Sequence, residues 1–205
     1  SMLLLAICST SRCFSKDHRW GYFPSLGMSW NVDRERFLSG VKAIDNLKLR
    51  VSAGLVGNQE IPDYAFTTSY ATGSYGGSSS YAKQNTANDD LKWETTASYN
   101  IGFDLSLWKN RFSVVFDAYY KKTSDLLLQV PVEGVTGYST ALRNVGSVTN
   151  KGVELEIGGV LLDNKDWHWN VNGNIAHNKN EVTSLGGASS IIPSIGGATI
   201  GYISP

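Results

Sequence analysis

The carboxylate pairs Asp89–Asp90 and Glu154/Glu156 are the natural starting points for acid/base chemistry. Asp89 and Asp90 are adjacent in a polar stretch, and Glu154 and Glu156 share one side of an extended segment. Neither pair has a partner at a spacing that a hydrolytic mechanism would require, so both read as solvated or surface-lining groups. His18, His168 and His177 show no metal-ligand spacing, and Cys8 and Cys13 are far in sequence from the last two histidines, so no zinc set is expected. The two cysteines could at most staple a local loop. The chain has no G-x-S-x-G elbow, phosphate-cradling loop or dinucleotide fingerprint. The expectation is a protein without catalytic residues, cofactor or metal.

One stretch suits binding better than catalysis. Between Gly57 and Asp90, Tyr64, Phe66, Tyr70, Tyr75 and Tyr81 are spread among Ser, Thr and Gly. Such a mixture stacks on sugar rings or packs against a partner protein; alternatively the rings pack on one another.

The elements that would position these residues are marked by alternation with a period of two, which occurs six times between Tyr22 and Val182. The first segment places Tyr22, Pro24, Leu26, Met28, Trp30 and Val32 on one side and Ser25, Gly27, Ser29 and Asn31 on the other. Leu47 to Leu55 and Tyr99 to Leu107 repeat the pattern, the latter setting Tyr99, Ile101, Phe103, Leu105 and Leu107 against Asn100, Gly102, Asp104 and Ser106. A fourth segment starts at Phe112 and continues towards Val130; the fifth and sixth start at Val153 and Trp167. The joins alternate in length. Trp108 to Arg111 and Asp163 to Asp166 are tight, whereas Gly57 to Asp90 and Pro131 to Asn144 are long; Asp33 to Asn46 is intermediate, with room for one or two amphipathic helical turns through Phe37, Leu38, Val41 and Ile44. In an up-and-down arrangement the short joins share one rim and the long loops the other, as in outer-membrane barrels.

Composition points the same way. Gly 21, Tyr 10 and Trp 6 against Pro 5 favour strands joined by small-residue loops. Eighteen basic and eighteen acidic residues give zero net charge and no electrostatic footprint for nucleic acid. Met2 to Cys8 is apolar but lacks the basic flank and length of a signal peptide, and Ile7 is too bulky for a lipoprotein signal. No run of eighteen apolar residues marks a transmembrane helix, which leaves β-barrels open. A soluble β-sandwich also reads apolar-in and polar-out, and a sandwich carbohydrate-binding module is the alternative reading. Against it stand segments that reach the roughly 9–11 residues of a membrane-crossing strand. Aromatics also gather near segment ends, among them Trp20, Tyr22, Trp30, Tyr99, Trp108, Tyr120, Trp167 and Trp169.

Several ordered blocks resemble the SusC/RagA-like TonB-linked outer-membrane transporters. They are Arg19-Trp20-Gly21-Tyr22-Phe23-Pro24-Ser25, Leu47-Lys48-Leu49-Arg50, Gly57-Asn58, Leu91-Lys92-Trp93-Glu94-Thr95-Thr96, Asn100-Ile101-Gly102, Arg111-Phe112 through Tyr119-Tyr120-Lys121-Lys122-Thr123, and, most densely, Asn144 to Leu155. They cover the chain from about Lys16 to Leu185. The resemblance implies a bacterial outer-membrane protein several times longer than this chain, with a plug and a large barrel. It also implies TonB and a SusD-like surface lipoprotein as partners in importing oligosaccharides or peptides, with the tyrosine-rich loop as a ligand or partner contact. On this reading residues 1–15 form an atypical N-terminal segment, 16–185 a partial barrel and 186–205 a Gly-rich loop at a truncated end.

The expected fold is therefore all-β: an antiparallel meander of about six long strands cut from a barrel wall. Six strands cannot close such a barrel, so the isolated chain is expected not to transport. Its unpaired edges and apolar face should make it self-associate or collapse into a sandwich-like sheet.

Overall fold

The computed structural model describes residues 2–38, 41, 43–68, 70–83, 87–132, 140–185, 194–195 and 198–199. Each alternating segment forms a strand, because β-branched and aromatic side chains at every second position fit a pleated surface with one apolar face. Seven strands make one antiparallel sheet: β1 (Met2–Thr10), β2 (Trp20–Asn31), β3 (Ile44–Asn58), β6 (Glu94–Leu107), β7 (Phe112–Ser124), β10 (Ser147–Asp163) and β11 (His168–Ser184), in that spatial order. Three separate ribbons pair β4 (Tyr70–Tyr75) with β5 (Ser78–Lys83), β8 (Leu127–Pro131) with β9 (Thr140–Asn144), and β12 (Ser194–Ile195) with β13 (Ala198–Thr199). The sheet is an open meander, as expected, with one strand more than the alternation marks. The addition is β1, which pairs along its whole length with β2, from Met2↔Met28 to Thr10↔Trp20. Its unbroken run Leu3-Leu4-Leu5-Ala6-Ile7 has no period of two, so alternation could not find it.

Register aligns the alternating positions into rows. Trp30, Leu49, Phe103, Phe116, Leu155 and Ile175 are successive cross-strand partners, as are Leu47, Leu105, Val114 and Ile157 one row away. Phe103 and Phe116 stack with centroids 5.6 Å apart. This apolar face has no cover among the described residues: Ile101 is 58% exposed and Ile175 70%. The whole chain exposes 14477 Å², about one and a half times the roughly 9,400 Å² expected of a compact soluble chain of its mass. A sandwich would hide these side chains under a second sheet, and none of the ribbons does so.

The turns explain the two rims. Between β6 and β7, Lys109 and Asn110 have φ of 59° each, and the Arg111 N–H donates to the Trp108 carbonyl at 3.3 Å. That is a type I′ turn, whose twist matches the flanking strands. Between β10 and β11, the Asn164 side-chain oxygen accepts from the backbone N–H groups of Asp166 and Trp167. Two sequence expectations are corrected nearby. The fourth strand does not run on to Val130: it ends at Ser124, and Asp125, at φ 58°, redirects the chain into β8. The join after β2 has a 3-10 turn over Val32–Arg34 and single i→i+3 contacts rather than an amphipathic helix, and it leaves Phe37 exposed.

The small buried core lies at the long-loop rim, not in the sheet. Phe14 and Leu91 are fully buried beside Cys13 and Trp93, with Phe23, Ile61, Phe66, Leu127 and Leu142 packed against them. Trp93 meets Phe14 at 5.4 Å and Phe23 edge-on at 5.3 Å. The cluster thus joins the β1–β2 loop, both ends of the β3–β6 connection and the β8–β9 ribbon.

Candidate functional site

The face opposite the apolar rows is small and polar, and its centre is charged. Arg50 on β3 donates through one nitrogen to Asp104 on β6 at 2.8 Å and to Asp117 on β7 at 3.0 Å. Arg50 and Asp117 are two strands apart, and Gly102 is the register partner of both. A Cβ on Gly102 would collide with the Asp117 carboxylate and come within 2.7 Å of the Phe116 carbonyl. The glycine therefore leaves the gap through which the two side chains meet. Glu154 follows Asp117 in the same row, and Glu156 lies opposite Val115 one row on. Glycine has a similar use at position 152, where a Cβ would meet the Tyr119 ring at 2.7 Å. Tyr119 can thus lie flat along the sheet. Asn100 donates to the Ser52 hydroxyl at 3.2 Å in the same band.

The tyrosine-rich stretch divides into two places. Tyr64 and Phe66 form one ring pair, 6.4 Å apart, and Phe66 leans on the rim cluster. Tyr70 and Tyr81 belong to the β4–β5 hairpin, where Thr72 opposes Tyr81 and Tyr70 opposes Lys83, so both tyrosines fall on one face and both are exposed. Tyr75 pairs with Ser78 beside the Gly76–Gly77 turn, whose φ values are +59° and +82°. Among the described residues, Tyr64–Phe66 is the ring contact made within this set of five.

The other reactive groups stay apart. Glu154 and Glu156 sit in the polar band, while Asp89 is at the rim, where its carbonyl accepts from the Ser15 hydroxyl at 2.9 Å. His168 meets Asp163 at 2.6 Å across the β10–β11 turn, an exposed contact with no nucleophile beside it. Cys8 is exposed and Cys13 buried, and both are free thiols. No group of three metal-ligating side chains occurs among the described residues.

Sequence reasoning missed a cleft of about 580 Å³ at the long-loop rim, where His18, Asp90, Lys92, Asp125, Arg143 and Asn144 converge from four segments. Its walls are tied together. Asn144 donates to the carbonyls of Lys92 and Asp125 and accepts from the Lys92 N–H, and the Lys92 ammonium pairs with Asp125 at 3.1 Å. No sequence signal marks it, because its residues are up to 127 positions apart.

An open antiparallel sheet with an uncovered apolar face, a polar charged face, tight turns on one rim and long tied loops on the other is a piece of barrel wall. A family model described as "TonB dependent receptor-like, beta-barrel" matches residues 9–205, and the chain belongs to that family. It is 38% identical over 173 residues to a TonB-dependent receptor of Formosa agariphila, covering 84% of this chain and 17% of that protein. It is 37% identical over 183 residues to the TonB-dependent receptor SusC of Bacteroides thetaiotaomicron, covering 85% of this chain and 18% of SusC. Among solved structures, the RagAB peptide importer in its closed-closed state superposes with a TM-score of 0.85 at 28% identity, covering 94% of this chain and 21% of that one. The chain thus spans about a fifth of the length of the relatives it matches, and the SusC/RagA-like resemblance read from its blocks holds.

Proposed function

We propose that this chain is a wall segment of a TonB-dependent importer in the bacterial outer membrane. In the whole protein the apolar rows face lipid, the Arg50–Asp104–Asp117 band faces the lumen and a plug, and the long-loop rim faces outward. Residues 16–185 supply most of the wall and its loops, with β1 as a further strand at its edge; residues 186–205 lie mostly outside the described residues. The substrates are oligosaccharides or peptides, delivered with a SusD-like surface lipoprotein and drawn in through TonB. The segment alone transports nothing, and no part of it is catalytic.

The observation that carries this reading is the set of continuous, uncovered apolar rows opposite a charged face, in a sheet that superposes on an importer barrel. Tyr22 and Trp30 stand eight positions apart on β2, about 27 Å of strand, which at the tilt of such barrels covers about 20 Å of their roughly 25 Å apolar band. Tyr70 and Tyr81 touch the lipoprotein or the substrate, a reading supported by their exposure on one face of the β4–β5 hairpin.

Spin labels test the orientation in the whole receptor reconstituted in vesicles. Labels at Ile101 and Val153 should be relaxed by oxygen dissolved in lipid, and labels at Asn100 and Glu154 by a water-soluble nickel complex. Loss of uptake of a labelled oligosaccharide or peptide on deleting the gene tests transport. Reversed accessibility, or unchanged uptake, would overturn the assignment.

A further inference from the structure

We infer that the rim cleft is a binding site for short peptides with free termini, a step that rests on the importer reading and chooses between its substrate classes. The cleft holds two basic and two acidic side chains, Lys92 and Arg143 against Asp90 and Asp125. Lys92 and Asp125 satisfy each other at 3.1 Å. The Arg143 guanidinium and the Asp90 carboxylate make no hydrogen bond or ion pair with the other described residues. One cation and one anion thus remain available in the same space, and the fixed charges cancel.

That arrangement selects by chemistry. A zwitterion gains a carboxylate–guanidinium contact at Arg143, with fork geometry, and an ammonium–carboxylate contact at Asp90. A ligand with a single charge gains one of these and opposes the other. A neutral sugar gains neither, and among the described residues the lining of the cleft has no Trp, Tyr or Phe on which a sugar ring could stack. Its volume falls within the roughly 300–1,000 Å³ of small-ligand clefts. The walls are already set: Asn88 donates to the Leu142 carbonyl at 3.0 Å, and Asn144 spends its whole amide on the backbone of Lys92 and Asp125. Little ordering is then left for the ligand to impose.

The test is calorimetric titration of the whole receptor, purified in detergent, with trialanine, with trialanine acetylated and amidated at its ends, and with maltotriose. Trialanine should bind, and blocking both ends should weaken it at least about tenfold. Arg143→Ala and Asp90→Asn should each weaken free trialanine roughly ten- to a hundredfold, and leave the blocked peptide unchanged. Arg143→Lys should recover part of the affinity, which a misfolded barrel would not do. Equal binding of free and blocked peptide, variants without effect, or binding of maltotriose alone would overturn the inference. Maltotriose binding would still leave the importer reading standing, whereas loss of the membrane orientation tested above would remove that reading whatever the titration gives.

Discussion

Gly102 is the residue on which the charged band depends, and its effect runs against intrinsic preference. A strand interior normally gains from replacing Gly with a residue that has a Cβ. Here the Cβ would meet Asp117 and the Phe116 backbone, and a carbonyl in the ladder cannot swing aside. Gly102→Ala is expected to push the Asp117 carboxylate away from Arg50 and to lower stability by about 1–3 kcal/mol, measured by denaturant unfolding of the whole receptor in detergent. Arg50→Ala should cost less. Its side chain and those of Asp104 and Asp117 are each about a third exposed, and such pairs contribute roughly 0.2–1 kcal/mol apiece. An Arg50→Ala loss larger than that of Gly102→Ala would refute this ordering. In the rim cluster, Leu91 is fully buried, so Leu91→Ala should cost about 2–5 kcal/mol. That substitution should also loosen the loops around the cleft, read as faster amide exchange at 11–19 and 87–93.

At the scale of elements, the two faces of β6 provide a paired test. Ile101 lies in the exposed apolar rows and Asn100 in the polar band one residue away. Ile101→Lys should destabilise the membrane-inserted barrel by about 2–4 kcal/mol, and Asn100→Lys by far less, both measured by unfolding in vesicles. Equal penalties would show that the faces do not separate lipid from lumen. The β6–β7 turn offers an opposite sign. Lys109 occupies a positive-φ position that glycine adopts without strain, so Lys109→Gly should stabilise by up to about 1 kcal/mol. Alternation made the strands legible, and loop length made the two rims legible. The β4–β5 ribbon was not, since it is short, local and set in a polar stretch that reads as loop, and β8, whose apolar residues Leu127, Leu128 and Val130 read as the end of the fourth strand, was not separable from it.

For the whole molecule, the sheet has two open edges in β1 and β11 and an uncovered apolar face. Unpaired N–H and C=O groups on long edges pair with any strand available. The isolated chain should therefore elute as large, concentration-dependent species in detergent-free buffer and become smaller when detergent covers the apolar face. A dilute monomer in plain buffer would contradict the exposure of rows such as that from Trp30 to Ile175.

The sequence by itself determined the class of fold, the side of each long strand that is apolar, the rim to which each join belongs and the family, because strand period, turn chemistry and ordered blocks are local properties of the chain. It did not reveal that Arg50 reaches Asp117 through the gap at Gly102, that Tyr64 and Phe66 part from Tyr70 and Tyr81, or that Asp90 and Arg143 share a cleft. Those are meetings of residues distant along the chain. They depend on the register of neighbouring strands and on which loops the rim core draws together, and the pairing of strands decides both.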